Sequence, residues 1–141
     1  MKILHIEVLI FGSSFSEEIA KKIPYPVHFV GHLHNDFSLV MVYNCMDVFV
    51  IPSLAEAFGQ TIIESLACNV PVVGFNIGGI PDMVNGYTGY LAEYNNSEDL
   101  AKGITVVLKE GKTNVREYVK SFSLESIVDK HNEMWNIEGF Q

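Results

Sequence analysis

Val48-Phe49-Val50-Ile51-Pro52-Ser53-Leu54-Ala55-Glu56-Ala57-Phe58-Gly59-Gln60-Thr61-Ile62-Ile63-Glu64 is the stretch on which the fold turns. Val48 to Ile51 form a short, wholly apolar run, which reads as a buried strand. Pro52 cannot continue a ladder, and a helix begins near Phe58 or Gly59 and runs to about Cys68. Glu56 lies just before the helix start and Glu64 about two turns inside it. Backbone N–H groups at a helix N-terminus lack intrahelical partners and carry the positive end of the dipole. A strand–loop–helix of this kind binds anions, phosphate above all. An acid on either side of the start suggests a ligand with hydroxyl groups as well as phosphate, and a nucleotide sugar has both.

Outward from that stretch, strands and helices alternate. Glu7 to Phe11 and Val27 to Val30 read as strands ending at Gly12 and Gly31. Between them Ser16 caps a helix with acids in its first turn and lysines in its last, stopped by Pro24 and Pro26. Asp36 to Asn44 reads as a helix. After Cys68, Asn69 suits a left-handed helix end, and Val70 to Phe75 form a fourth strand. Gly78-Gly79-Ile80-Pro81 is a loop, with Pro81 opening a short helix through Val84. Asn85-Gly86 and Thr88-Gly89 mark turns before a last strand at Tyr90 to Ala92. Ser97-Glu98-Asp99 caps a helix to about Lys109, ended by Gly111. Ser123 caps a final helix to about Asn136, with Leu124, Ile127, Val128, His131 and Trp135 on its apolar face and Trp135 as its anchor.

The strands are apolar along their whole length, so both sheet faces are expected to be covered. The expectation is an α/β fold: a doubly wound, Rossmann-like parallel sheet forming a single domain over 1–141. Ligands in such sheets bind beyond the carboxyl ends of the strands, where Gly12, Gly31, Pro52-Ser53 and Asn76 to Gly79 all fall.

Composition narrows the function classes. Apolar residues make up 48% of the 141, enough for one ordinary core and too many for a disordered chain. A net charge of -8 excludes a bare nucleic-acid surface. Cys45 and Cys68 match no metal spacing and sit among apolar residues, which predicts buried free thiols in a reducing compartment. No apolar run reaches the roughly 20 residues of a membrane span, and the N-terminus is too short for a signal peptide, so a cytoplasmic domain is expected. The five histidines are scattered; His32 and His34 across one loop read as surface or supporting residues rather than metal ligands.

Asp47 to Ser53, Glu56-Ala57-Phe58-Gly59, Glu64 to Val73, Gly78-Gly79-Ile80-Pro81-Asp82 and Asn85 to Leu91 together resemble the C-terminal nucleotide-sugar-binding domain of GT-B retaining glycosyltransferases of the family 4 group. Seven residues separate Glu56 from Glu64, the spacing of that family's paired glutamates. The resemblance implies that Glu56 is the catalytic-site acid and contacts the donor sugar's hydroxyls. It implies that backbone N–H groups around Ala57, Phe58, Gly59 and Gln60, with the Thr61 hydroxyl, face the diphosphate and sugar. Glu64 would accept from the ribose hydroxyls. Gly31-His32-Leu33 would hold the base, with Gly12 at the neighbouring strand end.

The implied reaction is transfer of a sugar from a UDP- or GDP-sugar to a hydroxyl acceptor with retention, needing no metal and no cofactor. The acceptor, a glycan or lipid-linked sugar in polysaccharide assembly, would be bound by the family's other domain. The match begins one βα unit late, without that unit's Arg and Lys, and no acceptor domain is recognisable. A fragment that binds donor but is inactive alone is therefore expected, with a possible dimer through its exposed sheet edge. Ala57 and Asn69 stand where Gly is usual, and Asp82 where Glu is usual.

Bland readings stand beside these. Glu64 could be a solvated helix-face residue and Glu56 an acid favouring the dipole. Gly59 could serve close packing and Gly78-Gly79 a plain turn. A GT-B-related epimerase or phosphorylase, or a non-catalytic interaction module of the same fold, would share most of these features.

Overall fold

The computed structural model describes residues 5–111 and 114–137, with 135–137 by backbone alone. The anchoring role expected of Trp135 thus lies outside the described side chains. The chain divides into two compact units, one ending at Val42 and the other beginning at Tyr43.

In the first unit β1 (Val8–Phe11) pairs in parallel with β2 (Val27–Gly31), joined by α1 (Glu17–Lys22). Ser16 caps α1 as expected: its hydroxyl accepts from the Ile19 N–H at 3.3 Å. Glu17–Lys21 and Glu18–Lys22 pair along the helix, but both pairs are exposed and contribute at most about 0.5 kcal/mol each. β2 departs from the expectation of strands buried on both faces. Its exposure alternates: His28 and Val30 face solvent, while Val27 and Phe29 are half-buried and Phe29 meets the edge of Phe15 at 5.0 Å, so only one face of β2 is packed. His28 accordingly takes a surface partner, Glu7, at 2.9 Å. α2 (Asp36–Asn44) follows and carries the chain into the second unit.

The second unit holds a parallel sheet in the order β3 (Phe49–Ile51), β4 (Val72–Phe75), β5 (Gly89–Ala92). Its helices are α3 (Gln60–Ala67), α4 (Ile80–Met83), α5 (Ser97–Glu110), α6 (Arg116–Val119) and α7 (Leu124–Ile137), with a 3-10 turn (Lys120–Phe122) before the last. This is the Rossmann-like alternation of parallel strands and helices, with two hydrogen-bonded ladders, β1-β2 and β3-β4-β5. β4 is buried along its whole length. Ile51, Ile62, Leu66, Val72, Ile80 and Met83 form the heart of the core, which joins β3, α3, β4 and α4.

Several local expectations shift by a residue or two for definite reasons. β4 starts at Val72 rather than Val70, because Pro71 has no N–H to give a ladder; its carbonyl still accepts from the Phe49 N–H at 2.9 Å. The cap of α5 is Asn96, not Ser97: its side chain accepts from the Asp99 N–H at 3.0 Å, leaving Ser97 as the first helical residue. Cys68 is half-buried, but Cys45 is exposed, against expectation, since it lies in the turn just past α2. The apolar face of α7 is also exposed at Leu124, Ile127 and Val128. Ser123 does cap that helix, accepting from the Ser126 N–H at 3.2 Å. Among the described residues no helix is long and apolar enough to cross a membrane.

Asp99 ties the start of α5 to the end of β5. Its carboxylate accepts from the Glu93 N–H and from the Tyr90 hydroxyl, each at 2.8 Å. The Glu93 N–H, the Tyr90 hydroxyl and nearby Lys102 hold its carboxyl below the usual carboxylate value, against a smaller opposing effect of desolvation. A depressed carboxyl adds stability that is fully present above its unfolded pKa and is lost as pH falls through the folded one. Thermal unfolding followed from about pH 7 to about pH 3 should therefore show an acid loss of stability that Asp99→Asn reduces. An Asp99→Asn curve parallel to wild type over that range would refute this role.

Candidate functional site

α3 begins where the sequence places it, and its start is shaped by Gly59. Gly59 is the N-cap residue, at φ 70, a conformation that costs an L side chain about 1–2 kcal/mol. Its carbonyl accepts the first helical bond, from the Ile62 N–H at 2.8 Å. A Cβ there would lie 2.8 Å from Ile62 Cδ1 and 3.1 Å from Met83 Cε, so Gly59 also lets the helix start press onto the core. The packing reading of Gly59 is correct and is compatible with an exposed loop beside it.

Glu56 reaches forward to that start: its Oε1 accepts from the Gly59 N–H at 3.0 Å. One of the N–H groups expected to face a ligand is thus held by this acid, which is half-buried and sits at the helix end that its charge favours. Ala57, Phe58 and Gln60 are exposed around it, and Thr61 is half-buried.

Beneath the loop lies Gly78-Gly79, which is more than a plain turn. The Gly79 N–H donates to the Glu56 carbonyl at 3.1 Å. A Cβ on Gly78 would run into that same carbonyl oxygen, and Gly78 sits at φ 55. A Cβ on Gly79 would lie 2.5 Å from the Ala57 carbonyl oxygen. The two glycines let the strand-end loop after β4 lie flat against Glu56-Ala57 and fix its backbone.

Glu64 sits one turn into α3 beyond Thr61. Its Oε2 accepts from the Tyr43 hydroxyl at 3.0 Å, so it is not a freely solvated helix-face residue. Tyr43 lies in the run Asp36 to Asn44 that reads as a helix, where nothing singles it out; the one signal is that a buried tyrosine hydroxyl usually finds a partner. Burial first, then the bond to Glu64 and its negative charge, push the Tyr43 phenol far above its usual value, so it remains a donor.

The far end of α3 closes with Asn69 at φ 62, the left-handed residue expected there. Arg116, not singled out from sequence, donates from Nε to the Ala67 carbonyl at 2.6 Å, and its N–H meets Asn69 Oδ1 at 3.4 Å. A cation at a helix C-terminus complements the dipole. The Cys68 thiol is pushed up by burial, with Arg116 opposing and Glu64 adding to the rise.

Glu56, Ala57, Phe58, Gly59, Gln60, Thr61 and Glu64 therefore gather at the carboxyl end of β3 within one unit. Gly12 and Gly31 belong to the first unit, at φ 72 and 78, where the Gly12 N–H donates to the Gly31 carbonyl at 2.8 Å. His32 is exposed and Leu33 half-buried in the loop that follows. Among the described residues no group of three or more His, Cys, Asp or Glu is placed to hold a metal ion.

A Rossmann-like α/β domain with paired acids at a strand–helix junction defines the class. The family model described as "Glycosyl transferases group 1" matches residues 2–110. The chain belongs to that family, and its match is to the C-terminal domain of the GT-B fold. "Uncharacterized glycosyltransferase MJ1178" of Methanocaldococcus jannaschii is 37% identical over 86 residues, covering 56% of this chain and 24% of its own length. Sucrose-phosphate synthase from Thermosynechococcus elongatus superposes with a TM-score of 0.75 at 26% identity, over 91% of this chain and 37% of that one. Anabaena Alr3699/HepE in complex with UDP-glucose gives a TM-score of 0.66 at 18% identity, over 95% of this chain and 40% of that one, a likeness of fold. The chain thus spans about a quarter to two fifths of these relatives' lengths.

Proposed function

We propose that this chain carries the donor site of a retaining glycosyltransferase that moves a sugar from a nucleoside diphosphate sugar to a hydroxyl acceptor. The observation that carries the reading is the pair Glu56 and Glu64 on either side of the α3 start, each held by a hydrogen bond, in a chain of the glycosyl transferases group 1 family. Glu56 meets the sugar hydroxyls. The helix start, with the N–H groups of Phe58 and Gln60 and the Thr61 hydroxyl, faces the diphosphate, while the Gly59 N–H stays on Glu56; fixed dipoles there stabilise a leaving anion without reorganising. Glu64 accepts from the ribose, through charge-assisted bonds roughly twice as strong as neutral ones.

In the reaction the bond from the anomeric carbon to the diphosphate oxygen breaks. The acceptor oxygen bonds to that carbon on the same face, and its proton leaves with the diphosphate. That a GT-B protein was captured with UDP-glucose supports a uridine donor, with a GDP-sugar as the other choice. Acceptor binding, of a glycan or a lipid-linked sugar, is assigned to elements other than those described. Transfer needs both reactants held together, so the chain by itself is proposed to bind donor without turning it over.

The test is a calorimetric titration of the 141-residue chain with UDP, GDP and their glucose conjugates. Saturable binding of one nucleotide is expected, weakened about tenfold or more by Glu64→Ala, the scale of a lost charged hydrogen bond. No binding of any of them at millimolar concentration, or equal binding by Glu64→Ala, would overturn the reading. Among alternatives, a non-catalytic module predicts that equality.

A further inference from the structure

Glu64 is a long, flexible side chain, and an unheld carboxylate would spend much of its time away from any one ligand geometry. Here it is held from another helix. The Tyr43 hydroxyl lies 3.0 Å from Glu64 Oε2 and 3.3 Å from the Thr61 carbonyl, one turn earlier on the same helix. The phenol itself has little freedom. Tyr43 is 1% exposed, and its ring meets Phe49 edge-on with centroids 5.6 Å apart and planes at 81°. A rigid donor from the end of α2 thus takes one oxygen of a flexible acceptor on α3. A carboxylate has two oxygens and can accept several hydrogen bonds, so this one contact orients Glu64 without using it up.

We propose that Tyr43 is a positioning residue that fixes the Glu64 carboxylate with its second oxygen, Oε1, presented to the adjacent hydroxyls of a nucleotide's ribose. This rests on the donor-site reading above. It adds that recognition of the ribose diol, and not of the base or the diphosphate, depends on a hydroxyl that never touches the ligand. Preorganisation of this kind lowers the ordering cost of binding. It therefore acts only on ligands that use Glu64.

The test compares the ribonucleotide that binds, UDP or GDP, with its 2′-deoxy and 3′-deoxy counterparts, for wild type, Tyr43→Phe, Glu64→Ala and the double variant. Phe keeps the ring and its edge contact with Phe49 and removes only the hydroxyl. Tyr43→Phe is expected to weaken the ribonucleotide about three- to tenfold while barely moving the deoxy forms, so that ribose discrimination shrinks. On the Glu64→Ala background it should add nothing. Equal weakening of ribo and deoxy ligands, or none, refutes the positioning role while leaving the Glu64 effect and the donor-site reading intact. No effect of Glu64→Ala on any nucleotide sinks both. Should Tyr43→Phe not fold, Glu64→Asp replaces it: the charge stays but the carboxylate is withdrawn by one methylene from Tyr43. Undiminished ribose discrimination in Glu64→Asp would overturn the proposal.

Discussion

Gly78→Ala is expected to destabilise the protein by about 2–4 kcal/mol, the sum of a backbone overlap and a left-handed φ. The added methyl has nowhere to go. It points into the Glu56 carbonyl oxygen, which is main chain and cannot rotate aside as a side-chain tip could. Moving that carbonyl also breaks its bond from the Gly79 N–H. The φ of 55 adds a cost that is independent of space. The damage falls on the segment that carries Glu56 and its contact with Gly59, so the proposed donor binding should drop further than the stability loss alone explains. Thermal unfolding with a parallel donor titration checks both parts. Gly86→Ala is the control, because a Cβ there meets nothing within 4 Å. If Gly78→Ala unfolds like that control, the account of the Gly78-Gly79 loop as a support for Glu56 is wrong.

Leu66→Ala should cost about 2–5 kcal/mol, the range for a fully buried leucine truncated to alanine. Leu66 is 1% exposed and packs in the core cluster with Ile51, Ile62 and Val72. α3 has eight residues, well short of the length at which a helix is stable by itself, so its apolar face holds it in place. Leu66→Met, which nearly conserves volume, should cost less than about 1.5 kcal/mol. Leu66 contacts no proposed ligand atom. In the fraction that stays folded, nucleotide affinity should therefore remain close to wild type. Urea unfolding gives the first quantity, and titration well below the midpoint gives the second. Affinity lost in proportion to stability would mean that the Tyr43–Glu64 bond does not suffice to keep Glu64 in place once the core beneath α3 is loosened.

Much of this was legible along the chain because the signals are local. Pro52 ends β3, Ser16 and Ser123 cap their helices, and Asn69 takes the left-handed turn, each through the residue's own backbone or side-chain chemistry. The run from Val48 to Glu64 places a buried strand, a loop and a helix start in order, and the spacing of the two acids follows from it. Where expectations slipped, the cause was also local but finer than pattern: Asn96 outcompetes Ser97 as a cap, and Pro71 delays β4.

What the sequence by itself determined was the class of fold and the identity of the paired acids, since hydrophobic period and turn chemistry act between neighbours in the chain. Tertiary structure alone decided how those acids are held. Gly78 comes to lie under Glu56, and Tyr43 reaches Glu64, across 22 and 21 positions of chain. Such contacts exist only once β3, β4 and α3 have packed, because they depend on which surfaces are buried against each other. The same reason explains β2 and Cys45: an apolar run or an apolar neighbourhood states a capacity for burial, and only packing decides which faces are covered.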